Sequence, residues 1–335
     1  MAGVSDLTRT IDDAFTHTWY EIRPMAIDNI LDSNVVTAAL RMQGCFTAQT
    51  GGDRITRTIK YGKKTNQYIK KGDTLEAGED DIETMAWWDW KYDSAHIQRS
   101  LMDDQKNNGK SKIKSLVKTK TKAAIDALDE SLEDGLWAAL DTTGTAKEVY
   151  NQRAERTPNS LFNIFGTAAK QTSSYKWGNI TRDNAWWKEN YKTANDPIEV
   201  NLLSDMRNLF NTCGKSKSYP TLLICDQTVF EVYEEYAQDI TQIVKSTNRL
   251  ADLGYEVLKF KGRDIIWSED ATAGQVMMLN CANKRVEIVY DPALWYDMTE
   301  WKVIPLQTER IAHIVSAFNL ICSEMRRQGL LGDYT

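Results

Sequence analysis

Residues 53–93 read DRITRTIKYGKKTNQYIKKGDTLEAGEDDIETMAWWDWKYD, and they separate charge along the chain. Residues 53–71 carry seven basic side chains against one Asp, whereas residues 73–83 carry six acidic ones and no basic ones. The stretch Tyr61-Gly62-Lys63-Lys64-Thr65-Asn66 is polar and turn-like. Residues 54–61 alternate, with Ile55, Arg57, Ile59 and Tyr61 on one face and Arg54, Thr56, Thr58 and Lys60 on the other. Residues 85–92 alternate on the way back and place Trp88, Trp90 and Tyr92 together. The segment between the two runs has too few large apolar groups to bury a core of its own. The pattern predicts a protruding two-stranded arm that contact orders. Limbs of opposite charge are poor material for an active site and good material for lying across a neighbouring copy of the chain.

Beside this arm, the tryptophans are unusual in number and in grouping. There are eleven, among them Trp87, Trp88 and Trp90, then Trp186 and Trp187, then Trp295 and Trp301. Large aromatics fill ordinary cores and also concentrate in interface cores. Trp87 and Trp88 are consecutive, so a strand points them to opposite faces. One of the pair is therefore expected to leave the local core and meet a partner subunit.

Downstream, residues 111–140 predict one long helix. Ile113, Leu116, Val117, Ala124, Ile125, Leu128, Leu132, Leu136 and Leu140 form an apolar stripe at three- and four-residue spacing. Lysines stand at 106, 110, 112, 114, 118, 120 and 122 with no carboxylate among them, and acids follow at 126, 129, 130, 133 and 134. This order opposes the helix-dipole preference, so helix stability did not set it. The lysine run reads either as a solvated or salt-bridged subunit contact, or as a sequence-independent contact to nucleic-acid phosphates. Lys112, Lys114 and Lys118 are the candidates for a DNA-facing patch. No element that reads bases is recognisable.

Upstream, Ile22, Ala26, Ile27, Ile30 and Leu31 follow a helical period with Pro24 near its start, and residues 35–42 continue it before Gly44. This segment has too little apolar surface for a domain and reads as an arm. Residues 145–197 are turn-rich. From 198 an α/β unit is expected: a helix over 199–212, a strand over 222–225, and Asp226 capping the next helix. Strands follow at 255–260, 264–267, 276–279 and 285–290. Residues 310–322 form a last apolar strand, with Arg326-Arg327 in a polar tail. The organisation expected is an arm over 1–50, the extended hairpin over 51–95, and one unit made of 96–197 and 298–335. Residues 198–297 are inserted into that unit.

The 335 residues are 42% hydrophobic and 26% charged, with a formal net charge of −6. They describe a folded protein and argue against a general DNA-wrapping one. No apolar run approaches the roughly 18 residues of a spanning helix, and residues 1–6 do not open a secretory signal. Five cysteines without CxxC spacing predict reduced, buried thiols in an intracellular protein. The three histidines show no metal-ligand spacing, and HExxH, GxSxG, the P-loop and GxGxxG are absent. His313 reads as a structural histidine in an apolar strand. Carboxylate clusters at 79–83, 103–104, 129–134 and 234–235 read as solvated faces. No catalytic residue, cofactor or metal is expected. The one opening for an α/β enzyme is the strand–Asp226–helix junction within 198–295.

Several segments, in their order and spacing, resemble a family of tailed-bacteriophage major capsid proteins with the Hong Kong 97-type fold. They are Gly51-Gly52-Asp53 leading to Tyr61-Gly62; Ala86-Trp87-Trp88-Asp89-Trp90-Lys91; and the helix with Leu132, Leu136 and Trp137. Gly178-Asn179-Ile180-Thr181-Arg182 with Trp186-Trp187, Met298-Thr299-Glu300-Trp301, Asn319-Leu320-Ile321-Cys322 and Arg326-Arg327-Gln328-Gly329 complete the match. The resemblance implies an α+β fold with an N-terminal arm, an extended E-loop hairpin, a peripheral domain with a long spine helix, and an axial domain. It also implies a homo-oligomer of hexamers and pentamers forming an icosahedral shell around double-stranded DNA, assembled in the host bacterial cytoplasm and found in the virion. A portal protein, a separate scaffolding protein and a decoration protein are the implied partners, and no membrane is. Arg54, Arg57, Lys60, Trp87, Trp88 and Trp90 are the expected subunit-interface residues, with the tryptophans packing at the base of the loop. No Lys–Asn–Glu crosslinking trio is assigned, so no covalent chemistry is expected. An encapsulin-like nanocompartment shell, which encloses protein cargo, is the alternative within the same fold.

Overall fold

Alternating and continuously apolar runs end on opposite sides of two sheets, and the way they pair decides what the hairpin is attached to. A computed structural model of the chain describes residues 34–74, 78–100, 110–138, 157–165, 176–194, 197–214, 218–239, 258–305, 308–332 and 334, without the side chains of 110–119 and 237–239. The first half contains α1 (Val35–Met42), β1 (Phe46–Ala48), β2 (Arg54–Lys60), β3 (Glu83–Asp89), β4 (Lys91–Ser100), α2 (Lys110–Trp137), α3 (Leu161–Ile164), β5 (Lys176–Trp177), β6 (Ile180–Thr181) and β7 (Asn190–Thr193). The second half contains α4 (Ile198–Cys213), β8 (Leu222–Cys225), α5 (Gln227–Asp239), β9 (Leu258–Phe260), β10 (Arg263–Trp267), β11 (Val276–Leu279), β12 (Val286–Tyr290), β13 (Asp297–Met298), β14 (Lys302–Val303), β15 (Glu309–Cys322) and β16 (Gly329–Gly332).

The long strand β15 organises the first sheet. β4 pairs antiparallel with it from Lys91↔Phe318 to Ser100↔Glu309, and β14, β13 and β12 share its other edge in succession. β1 adds to β12 in parallel. The helix α2 lies over β4, and Ala124, Ile125 and Leu128 meet Ile97, Tyr296 and Ile314 there. Of the predicted stripe, Ala124, Ile125, Leu128, Leu132 and Leu136 are buried, Leu140 and the side chains of Ile113, Leu116 and Val117 lie outside what is described, and the helix ends at Trp137.

The second sheet has the order β7-β16-β11-β8-β10-β9, with β8 parallel to β10 and antiparallel to β11. All four residues of β8 are buried because both faces of the sheet are covered. Leu223 and Cys225 point to α4 and α5, against Leu209, Phe210, Phe230 and Tyr233. Leu222 and Ile224 point the other way, into a core shared with Ile288, Leu320 and the base of the hairpin.

Four features differ from the expectations. β12, within the 198–297 segment, pairs with β15, whereas β7 and β16 from outside that segment join the second sheet. Residues 34–48 pack in the shared core, with Val36, Ala38, Ala39 and Leu40 fully buried. The expected polar tail is a buried strand: every residue of β16 is buried, and so is Arg327. Gly329 hides that strand from a pattern search, because a Cβ there would stand 2.5 Å from Cys213 Sγ. His313 is exposed and stands across from His96, since β15 is solvent-facing on that side until Val315.

Candidate assembly surfaces

The hairpin grows out of the core. β2 and β3 pair antiparallel from Arg54↔Asp89 to Lys60↔Glu83. Ile55, Ile59, Ala86 and Trp88 form its buried face; the alternation predicts Ile55, Ile59 and Trp88 there, but Tyr61 is exposed, and so is Tyr92, which lies on β4 rather than beside Trp88. Trp88 is fully buried, and its ring meets Trp177 edge-on at 5.8 Å. Behind it Gly178 and Asn179, both at positive φ, make the two-residue turn between β5 and β6. The Gly178 carbonyl accepts from the Trp87 N–H at 3.2 Å, locking turn to hairpin.

The six residues expected at a subunit interface divide by environment. Trp88 lies wholly inside its own chain. Arg57 pairs with the buried Glu287 at 3.0 Å and donates to Gln49 Oε1 at 3.1 Å. Trp90 is not on the β3 strand face with Trp88; it sits at the bend between β3 and β4, where its Nε1 donates to Gly52 O at 2.9 Å. Trp87 is half-buried on the outer face under the Arg54 guanidinium, 3.9 Å from the ring centroid, and Arg54 also pairs with Asp89 at 3.2 Å. Lys60 is exposed opposite Glu83. Trp87 is thus the member of the pair that leaves the core, and it goes to Arg54.

Beyond Lys60 the two limbs separate into open backbone. The Tyr61 and Gly62 N–H groups both donate to Ile82 O, and a Cβ at Gly62 would stand 2.5 Å from Asp81 O. The Tyr61 ring stacks on Trp186 at 4.7 Å. Asp80 clips the limbs together by accepting from Thr65 N–H at 2.7 Å and from its hydroxyl at 3.1 Å. From Lys63 to Thr74 every residue is exposed, Tyr68 at 98% and Ile69 at 62%. Pattern reading did not single out Tyr68 and Ile69; their signal is an apolar pair inside a lysine-rich turn.

The carboxylates at 129–134 are not one solvated face. Asp129 and Glu133 are buried, one turn apart on α2, while Asp126, Glu130 and Asp134 are exposed. Glu133 accepts from the Val36 and Thr37 N–H groups at 3.3 and 3.0 Å and from the Thr37 hydroxyl. It thereby caps α1 from another helix, where Asn34 offers no side-chain cap. Burial raises its carboxyl above the ordinary value against these hydrogen bonds. Burial likewise raises Asp129 to about 6, opposed by the Tyr296 hydroxyl that donates to it at 2.6 Å. On the flank of α2 facing β4 runs a groove of about 560 Å³ whose lining includes Ala123, Ala127, Leu128 and Ile97. Lys112, Lys114 and Lys118 lie in the first half of α2, and their side chains fall outside the described residues.

The junction that suggested an enzyme has a structural account. Asp226 Oδ2 accepts from the Thr228 N–H at 3.2 Å, the expected cap of α5. Cys225 is buried and its thiol is pushed well up by that burial. All five cysteines are buried and free. Among the described residues no group of three or more His, Cys, Asp or Glu is arranged to hold a metal, and no helix is long and apolar enough to cross a membrane.

No protein-family model matches the sequence, and no curated protein does. Solved structures match along nearly the whole chain. The cyanophage A-1(L) capsid asymmetric unit superposes with a TM-score of 0.61 at 14% identity, over 88% of this chain and 92% of that one. The capsid of the native GTA particle gives 0.55 at 10% identity, over 88% and 89%. The capsid of the Myoviridae phage XM1 gives 0.51 at 11% identity, over 87% and 90%. With its α+β architecture, its projecting hairpin and these three capsid chains as structural counterparts, the chain has the Hong Kong 97-type capsid fold.

Proposed function

We propose that the chain is a major capsid protein, which self-assembles as hexamers and pentamers into an icosahedral shell around double-stranded DNA. The observation that carries this reading is the hairpin, rooted in the core by Trp88 and Ile55 but fully exposed from Lys63 to Thr74. A limb that buries nothing in its own chain is explained by burial against another. The capsid fold supports the same reading. In this scheme residues 51–95 act as the E-loop, the sheet around β15 with α2 as the peripheral domain, and the sheet around β8 with α4 and α5 as the axial domain. Arg54, Lys60 and Trp87 contribute to the subunit interface directly, and Arg57, Trp88 and Trp90 by fixing the base of the loop. Lys112, Lys114 and Lys118 face non-specifically bound DNA. A scaffolding protein, a portal and a decoration protein are its partners during assembly in the bacterial cytoplasm, and the virion is its destination.

The test is negative-stain imaging of the purified chain across a salt series, with absorbance at 260 and 280 nm on the largest fraction. Uniform icosahedral particles containing DNA are the expected result. Particles holding only protein cargo would replace the phage reading with a nanocompartment. A small oligomer at every salt, persisting when neighbouring phage proteins are supplied, would overturn the shell.

A further inference from the structure

Two of the chain's three histidines face each other across a strand pair. His96 on β4 is the register partner of His313 on β15, and His17 lies outside the described residues. The neighbours Ile97, Ala312 and Ile314 are buried, Ile97 and Ile314 against α2. Side chains alternate along a strand, so both imidazoles project from the opposite face, where both residues are exposed. The His313 N–H donates to Thr299 Oγ1 at 2.9 Å, and its carbonyl accepts from the Thr299 N–H at 2.8 Å. Both backbone groups of His313 therefore point away from β4. That makes His96 and His313 a non-hydrogen-bonded pair, the kind whose Cα atoms stand about 4.5 Å apart and whose side chains lie closest.

Among the described residues no hydrogen bond, ion pair or ring contact holds either imidazole. The rows on either side are Gln98 with Ile311 and Ser94 with Val315. The Glu309 carboxylate, beyond the first of these rows, is engaged by the Gln98 amide. As two cations directly opposite, the rings would repel; as two neutral rings they are a ready pair of nitrogen donors. On Cβ atoms about 4.5–5.5 Å apart, each can place one nitrogen about 2.0–2.1 Å from a common ion. Imidazole suits the late first-row divalent metals, whereas magnesium and calcium take oxygen ligands. A spacing search along the chain does not find this pair, because its members come from different strands.

We propose that His96 and His313 chelate one zinc-class divalent cation (Zn²⁺, Ni²⁺ or Cu²⁺), with water in its remaining positions. The bound ion clips β4 to β15, and β4 is the strand that continues from the hairpin root past Trp90. The site lies within one chain and does not depend on the shell.

Isothermal titration of zinc chloride into the full-length chain, free of any polyhistidine tag, tests it. One zinc per chain is expected, with no heat from magnesium chloride. His96→Asn and His313→Asn should each weaken binding at least tenfold. The double variant should lose little more than either alone, since a chelate fails when one arm is removed. His17→Asn should bind as the parent does. Both paired positions are exposed, so the variants leave the core untouched. Hydrogen exchange on the parent needs no variant: zinc should slow the amides of Lys91–Ser100 and leave those of Ile198–Cys213 unchanged. No zinc binding by the parent, binding that survives in the double variant or is lost in His17→Asn, or protection spread alike over both segments would overturn the proposal.

Discussion

Asp129 and Tyr296 illustrate how single residues pin the outer layers of this subunit to α2. The folded Asp129 carboxyl lies near 6 rather than its ordinary 3.8, chiefly through burial. A raised folded value means that the stability tied to the protonated form is fully present below the unfolded pKa and is lost as pH rises through about 6. Asp129→Asn keeps an acceptor for the Tyr296 hydroxyl and cannot ionise. It is expected to be more stable than the parent by about 1–2 kcal/mol at pH 8, with the gain gone near pH 4. Thermal melts at the two pH values check this, and a variant less stable at pH 8 would mean that the charged carboxylate is the better partner. Gly178 supplies the opposite case. Its φ is +56°, and an added Cβ would stand 2.7 Å from Trp88 Cζ2 and 2.9 Å from Ala86 Cβ. Gly178→Ala should therefore cost about 2–4 kcal/mol from left-handed strain and overpacking together. A urea titration showing less than about 0.5 kcal/mol would mean that the Trp88 ring has room to move.

At the scale of elements, the hairpin separates into a root that belongs to the core and a tip that belongs to something else. Replacing residues 63–80 by a short glycine linker keeps Ile55, Ile59, Ala86 and Trp88 in place. The melting temperature is expected to stay within about 3 °C of the parent, because the described residues among those removed bury little, while sedimentation should show no particles. A large drop in melting temperature would place the loop in the fold rather than in assembly. Much of this was legible beforehand. The alternation of Ile55, Arg57 and Ile59 predicted the buried face, and strand 222–225 and strand 276–279 appear where their apolar runs place them. What was hidden depends on partners rather than on local pattern. Residues 85–92 alternate without interruption, yet the chain changes partner at Trp90, from β2 to β15, and no local preference marks that switch. Asp129 and Glu133 looked like any helical carboxylates, because the N-terminus of α1 that Glu133 caps is about a hundred residues away in sequence.

At the scale of the whole molecule, one apolar core joins the inner face of the second sheet to β12, β15, α1 and the end of α2, so the root of the hairpin is held by both sheets. In the proposed assembly the exposed hairpin of one copy on the surface of the next makes a heterologous contact, which closes into rings when the rotation between copies allows it. In the proposed shell, repetition of such a contact would hold a ring even though each contact is weak alone. Because Lys63, Lys64, Lys70 and Lys71 on the hairpin are exposed, the proposed contact would be partly ionic and open to screening, with a Debye length of about 10 Å at 0.1 M salt and about 3 Å at 1 M. Particle yield is therefore expected to fall severalfold between 0.1 and 1 M sodium chloride. Because many copies of the contact act together, the loss should be steeper than for a single docked pair. Lys70→Glu/Lys71→Glu should start from a low yield and lose its salt dependence. Light scattering on the parent and the variant over that range reads both effects. Should the parent assemble better as salt rises, burial of apolar surface dominates the contact, and the hairpin lysines have no part in holding the ring.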